Sequence, residues 1–259
     1  MTFTFDPAAG LLAFLDHVER LPDVVARRHR SYALLAPRPG ETVADIGCGA
    51  GTAVREIAAL LAPGGTAVGL DINESLIAAA GTRAAEAGVE IRLVVGDALA
   101  LPFADASLHG YRAERLYQHL GDPRAALIEA KRALAPGGRI VIIDQDWDAT
   151  LLDSDDIPTT RAVLRAYADG IVGSATPRRQ HRLLTDAGFT DVRVEAEAHA
   201  STRYAEYGFI PELAARVAEA FGAIGSAAAE RWIADQRERG ASGRWFASTT
   251  HLVASARRP

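Results

Sequence analysis

Residues 44–51, ADIGCGAG, set Gly47, Gly49 and Gly51 at alternate positions directly behind a short apolar run. Glycine loses more backbone entropy on folding than any other residue, so such a cluster implies a close approach to the main chain or a left-handed backbone. A tight turn between a buried strand and a helix meets that need, with backbone N–H groups exposed at the helix N-terminus for a ligand. Two common loops are excluded by spacing. A dinucleotide fingerprint needs glycine where Thr52 stands, and no Gly-Lys-Ser/Thr closes a phosphate loop. Asp45, at the strand's carboxyl end, is a poor neighbour for a pyrophosphate and a good one for a cationic amino group.

The flanking sequence continues the alternation. Helical spacing in TAVREIAALLA stops at Pro63, and TAVGLDI, EIRLVVGDA, LHGYRA and GGRIVIIDQD read as further strands. ESLIAAAGTRAAEAG reads as a helix, and Asp122 with Pro123 opens another through Ala135. Leu-Ala-Pro-Gly-Gly occurs at 61–65 and at 134–138, the same helix-to-strand junction used twice. Such alternation predicts a parallel sheet with right-handed crossovers. Residues 11–36 predict two helices broken near Pro22. Residues 157–187 and 205–240 also predict helix, the last piece with Ser226 as cap and Ala229, Trp232, Ile233 and Gln236 on one face. FTDVRVEAEA and RWFASTTHLVASA predict two late strands.

With 259 residues, 49% hydrophobic and 24% charged, the chain is long enough for a substantial core of soluble globular type. A net charge of −5 gives no footprint for nucleic acid. The run Arg27-Arg28-His29-Arg30 is expected to be a solvated helix face. No apolar run reaches membrane length, since the first is broken by Asp16. The single cysteine, Cys48, fits a reducing compartment, so a cytoplasmic location is expected.

Asp45, Asp71 and Asp97 each close one of the first three strands. A carboxylate at the second position can accept both hydroxyls of a ribose, and one at the third can accept from an adenine amine. Together they describe a nucleoside with a cationic tail. VADIGCGAG, VGLDIN, VVGDALALPF and YRAERLYQHLGDP resemble the successive motifs of class I S-adenosylmethionine-dependent methyltransferases, in the small-molecule branch related to ubiquinone and menaquinone methyltransferases. The resemblance covers roughly residues 25–145. It implies an α/β fold, a Rossmann-like doubly wound seven-stranded sheet, mostly parallel with its last strand antiparallel, carrying N-terminal helices and a helical lid insertion. One domain is expected over 1–259, with helices at 1–36, a cofactor core at 37–145 and an acceptor-side half at 146–259, its insertion at about 200–242. The resemblance implies S-adenosyl-L-methionine as cofactor, with Gly47, Gly49 and Gly51 along its amino-acid end and Asp45 near its amino group. Asp71 would hold the ribose, Ile72 would pack on adenine, and Asp97 with the Ala98 backbone would read the adenine edge. Arg112, just past the fourth strand, would lie beside the methionyl moiety.

A sulfonium methyl is already activated, so transfer rests on placing the acceptor. A base matters only where the acceptor must lose a proton. His119 is the candidate base, with ordering of the Asp122–Pro123 helix start as its alternative. Tyr117 and Trp147 are candidate acceptor contacts. DQDWD, residues 144–148, is placed after the fifth strand. It lacks a nearby histidine, and His17, His29, His109, His181, His199 and His251 are scattered, so no metal is expected. Phe3, Phe5, Phe14, Tyr204, Tyr207, Phe209 and Phe221 would close a pocket for a small, largely apolar acceptor, in keeping with natural-product biosynthesis. Two alternatives keep the fold: an enzyme using the bound sulfonium to steer a cyclisation or isomerisation, and a nucleoside-binding protein without catalysis. The acceptor atom, the pathway and the oligomeric state stay open.

Overall fold

The computed structural model describes residues 7–259; Phe3 and Phe5 lie outside the described residues. Two helices, α1 (Pro7–Val18) and α2 (Pro22–Leu35), lead into β1 (Thr42–Ile46), α3 (Thr52–Leu61), β2 (Thr66–Asp71), α4 (Glu74–Glu86) and β3 (Arg92–Val95). Then come β4 (Leu108–Glu114), α5 (Pro123–Ala133), β5 (Leu134–Leu152), α6 (Ile157–Asp169), α7 (Gln180–Asp186) and β6 (Thr190–Ser201). The chain ends with α8 (Tyr204–Tyr207), α9 (Phe209–Ala220), α10 (Ser226–Ala241) and β7 (Ala247–Arg257).

The strands form one sheet in the order β3-β2-β1-β4-β5-β7-β6. Strands β1 to β5 pair in parallel, and β7 runs antiparallel to both β5 and β6. The strand order reverses between β1 and β4, which opens a crevice at their carboxyl ends. One sheet face packs Ile46, Leu70, Tyr111 and Ile142 against α5 and α7, and the other packs Val43, Val141 and Val253 against α2 and α3. Helix α3 is set by its stripe of Ala53, Val54, Ile57 and Leu61, all buried. Helices α4, α5 and α6 start on the side chains of Asn73, Asp122 and Asp156, each accepting a backbone N–H of the first turn.

The second half departs from the sequence reading in four details. The helical stretch at 157–187 breaks between Asp169 and Gln180, where only a short 3₁₀ turn forms. The stretch at 205–240 divides into α8, α9 and α10. Gly225, not Ser226, caps α10, while Ala229, Trp232, Ile233 and Gln236 are indeed its buried face. DQDWD lies inside β5, which continues because Leu151 and Leu152 pair with Ser248 and Ala247 of β7. Helix α6 packs on this over-long strand, and α9 and α10 pack on α6 and on each other around Val163, Ala214 and Trp232.

Candidate active site

The loop after β1 carries its glycines in the left-handed region, with φ of +71° at Gly47, +54° at Gly49 and +78° at Gly51. Their spatial reasons differ. A Cβ on Gly51 would sit 2.8 Å from the Ala80 Cβ, and one on Gly47 would press on Leu116 at 3.1 Å. Gly49 meets only Leu15, at 3.8 Å. The loop's N–H groups are already spent: Gly47 and Cys48 donate to the Leu70 carbonyl, and Gly49 donates to Asp71 Oδ2 at 2.9 Å. The expectation of exposed N–H groups is therefore corrected at these three residues. The loop presents a face stripped of side chains rather than a nest for an anion.

Arg112 is also placed differently. It lies within β4, not past it, and is 2% exposed. Its Nη1 donates to Asp45 Oδ1 at 2.7 Å, its Nε to Ser31 Oγ at 2.7 Å and its Nη2 to Glu114. Burial pushes the Asp45 carboxyl up while the guanidinium opposes it. For Glu114, Arg112 and its cationic neighbours prevail over burial and bring the carboxyl down to about 2. A buried guanidinium flanked by two carboxylates is consumed by the fold.

Above the loop lies a cavity of about 470 Å³. At one end it is bounded by Gly47, Cys48, Gly49, Asp71 and Leu76, and at the other by Phe14, Tyr167, Tyr207, Phe209 and Ile210. His119, Trp147, Gln145, Thr249 and His251 line it between. Asp71 is doubly engaged, since Oδ1 accepts the Asn73 N–H at 2.9 Å while Oδ2 holds Gly49. Ile72 is 71% exposed, and Asp97 accepts the Leu99 N–H while Ala98 is buried. These three stand at the β2–β3 edge, outside the cavity lining.

His119 and Trp147 share one partner. Gln118 Oε1 accepts from the Trp147 indole at 3.1 Å and from the Gln145 N–H at 3.3 Å, which fixes its carboxamide. Gln118 Nε2 therefore donates to His119 Nε2 at 3.0 Å, so His119 carries its proton on Nδ1. Proton transfer to His119 Nε2 requires Gln118 to let go. Burial, with Arg115 nearby, also holds the His119 imidazolium below its ordinary range. Trp147 packs edge-on against Tyr167, ring centres 5.0 Å apart. Tyr117 does not reach the cavity; it is 1% exposed and shares a hydrogen bond of 3.0 Å with Tyr111 in the core.

Among the aromatic residues expected to form a lid, Phe14, Tyr207 and Phe209 line the cavity. Tyr204 packs edge-on against Trp245 instead, and Phe221 is 63% exposed. The basic run is not a solvated face throughout: Arg27 and Arg28 are buried, Arg28 on Glu56 and Arg27 between Asp23 and Glu114. Asp146 and Asp148 of DQDWD both pair with Arg178. No cluster able to hold a metal ion occurs among the described residues, and no helix among them is long and apolar enough to cross a membrane.

Sequence reasoning passed over Arg115, Gln118, Thr249 and His251. Arg115 takes a φ of +56° at the end of β4 and lines the cavity and the small recess beside Gly47 and Asp45. No ion pair or side-chain hydrogen bond engages its guanidinium among the described residues. Thr249 and His251 open β7, whose antiparallel course brings its first residues to the carboxyl rim of the parallel strands.

Comparison with known proteins agrees with this architecture. Residues 43–138 match the family described as a methyltransferase domain. An uncharacterised 37.1 kDa protein from a transposon of Streptomyces fradiae is 34% identical over 89% of this chain and 67% of its own length. A demethylmenaquinone methyltransferase from Thermus thermophilus is 33% identical over 45% of this chain, which spans about half of that relative, 53%. The fold is shared with a phosphoethanolamine N-methyltransferase 2 of Haemonchus contortus, at a TM-score of 0.63 and 17% identity over 97% of this chain and 57% of that one. The chain belongs to the class I S-adenosylmethionine-dependent methyltransferases, resembling the quinone methyltransferases.

Proposed function

We propose that the protein transfers a methyl group from S-adenosyl-L-methionine to an oxygen, carbon or nitrogen of a small, largely apolar metabolite. One observation carries the reading: a single cavity runs from the glycine loop and Asp71 to a wall of aromatic and aliphatic side chains. The residues present suit the cofactor. Gly49 leaves the loop face open beneath Leu15, and Asp71 keeps lone pairs for ribose hydroxyls beyond those taken by Gly49 and Asn73. Exposed Ile72 and the Asp97–Ala98 turn suit an adenine ring and its edge. Asp45 and Arg112 act from behind the loop as a closed ion pair, and Arg115 suits the carboxylate of the amino-acid end. When bound, the cofactor supplies an electrophilic sulfonium methyl. The chain's own work is to hold the acceptor in line and to exclude water. Trp147, fixed by Gln118 and Tyr167, serves as a rigid wall, and His119 acts as a base only for an acceptor whose proton must leave.

Incubation of the purified protein with methyl-labelled cofactor and a panel of hydrophobic phenols, enols and amines tests the proposal. Label is expected in an organic-soluble product, with S-adenosylhomocysteine formed in equal amount. Tight cofactor binding without transfer to any acceptor, or turnover without consumption of cofactor, would overturn it.

A further inference from the structure

The cavity floor carries polar groups that the fold leaves unspent. His251 is 4% exposed and lines the cavity, yet its Nδ1 has no hydrogen-bond partner among the described residues. A buried polar group without a partner destabilises a fold, and native proteins keep few of them. Thr249, two residues earlier on the same face of β7, is 5% exposed and also lines the cavity. Gln145 stands directly opposite His251 on β5 and completes the strip; its Nε2 donates to Thr150 Oγ1 at 3.3 Å, which leaves its Oε1 as the free acceptor.

The charges around this strip are committed to one another. Arg27 Nη1 meets Asp23 at 3.3 Å, and its Nε faces Glu114 at 3.5 Å. Asp23 also accepts from the Tyr207 hydroxyl. Arg115 sits toward the glycine loop. Outside those pairs, whose Asp23, Arg27 and Glu114 line the same cavity, the polar groups of the strip are an imidazole, a hydroxyl and a carboxamide, all uncharged. Nothing on the protein fixes which nitrogen of His251 bears the proton, so the ring can accept or donate.

We propose that Gln145, Thr249 and His251 form the acceptor-recognition strip, and that they select an uncharged hydroxyl or carbonyl group on an otherwise hydrocarbon acceptor, with His251 as the principal contact. This rests on the cavity being the methyl-acceptor site. An ionised acceptor is rejected, because it would have to shed its hydration without gaining a counter-charge.

Three probes of one shape test the selection: 2-naphthol, 2-naphthoate and 2-(aminomethyl)naphthalene, titrated by calorimetry into protein saturated with S-adenosylhomocysteine. The naphthol is expected to bind about tenfold more tightly than either ionised analogue. His251→Leu is expected to remove about that factor for naphthol and leave S-adenosylhomocysteine affinity unchanged. His251→Gln should restore part of the loss, and Thr249→Val should weaken naphthol severalfold. Equal or tighter binding of an ionised probe, no binding of any probe, or naphthol affinity unchanged in His251→Leu overturns the inference. Failure of S-adenosylhomocysteine to bind the wild-type protein would instead overturn the function proposed above. Should His251→Leu not fold, the wild-type ranking and Thr249→Val decide.

Discussion

Replacing His251 by leucine should make the protein more stable, and more so in acid. Burial, reinforced by Arg27, holds the His251 imidazole down at about 3, against an ordinary value of 6.5. Glu114 and Asp23 push the other way and Arg115 adds to the lowering, while Glu197 stands opposite His251 on β6. The sign follows from proton counting. Below 6.5 the unfolded chain binds a proton that the folded ring refuses, so stability falls by ~1.4 kcal/mol per pH unit toward 3. Between pH 8 and pH 5 the wild type loses about 2 kcal/mol through this group. Asp144 acts oppositely: burial raises its carboxyl to about 8, so the folded state gains stability as pH falls from there toward 3.8. The wild-type curve alone therefore mixes two slopes, but Asp144 is common to both proteins and drops out of the difference. At pH 8 the leucine variant should be about 1–2 kcal/mol more stable, because an unpartnered buried nitrogen is gone. At pH 5 the gap should widen to about 3–4 kcal/mol. Urea unfolding of both proteins at the two pH values measures it. A gap that stays constant with pH, or a leucine variant less stable than wild type at pH 8, would refute the reasoning.

Asp71→Ala removes the acceptor of two backbone N–H groups as well as the ribose contact proposed above. Calorimetry should show S-adenosylhomocysteine affinity reduced by about 2–3 kcal/mol, with Asp71→Asn intermediate; an unchanged affinity would place the ribose elsewhere. Arg112→Ala leaves Asp45 and Glu114 buried without their counter-charge, so it should cost about 3–5 kcal/mol at pH 7 and less at pH 5, where the carboxyls can protonate. Thermal melts at both pH values check it. Gly51→Ala should cost about 2–4 kcal/mol in the same melts, combining a strained φ of +78° with a Cβ 2.8 Å from Ala80.

The parallel half of the fold was legible because local signals and tertiary demands coincide there. The buried run before Gly47, the Asp122–Pro123 helix start and the Pro63-Gly64-Gly65 junction each state one thing, and the structure repeats it, whereas Pro136-Gly137-Gly138 falls inside β5. The stretch at 144–152 was not legible in this way. The strand was expected to end at Asp146, yet the chain stays extended past it because Leu151 and Leu152 regain partners on β7 after a register shift. Cross-strand pairing overrode propensity, as it commonly does in sheets. The basic run misled for a related reason. Arg27 and Arg28 look solvated by composition, but Asp23, Glu56 and Glu114 gather around them from three different elements. No local window contains that information.

The site divides along the same line. Ligands of open α/β sheets sit beyond the carboxyl ends of parallel strands, and Asp45, Asp71 and Asp97 stand at or just past those ends of β1, β2 and β3, which is what a scan of strand ends in the sequence shows of them. The same scan applied to β7 looks at the wrong end. An antiparallel strand presents its first residues at that rim, which is where Thr249 lies and where His251 stands opposite Gln145. The antiparallel course had been expected, so the signal was present in the reversal itself. Arg112 erred in the opposite sense: it has the right rim and the right charge, but Asp45, Glu114 and Ser31 engage each of its three nitrogens. What distinguishes a ligand contact from a structural ion here is whether the fold has already satisfied it. By that measure Arg112 belongs to the scaffold, Arg115 to the loop end of the cavity, and His251 to whatever enters from the aromatic side.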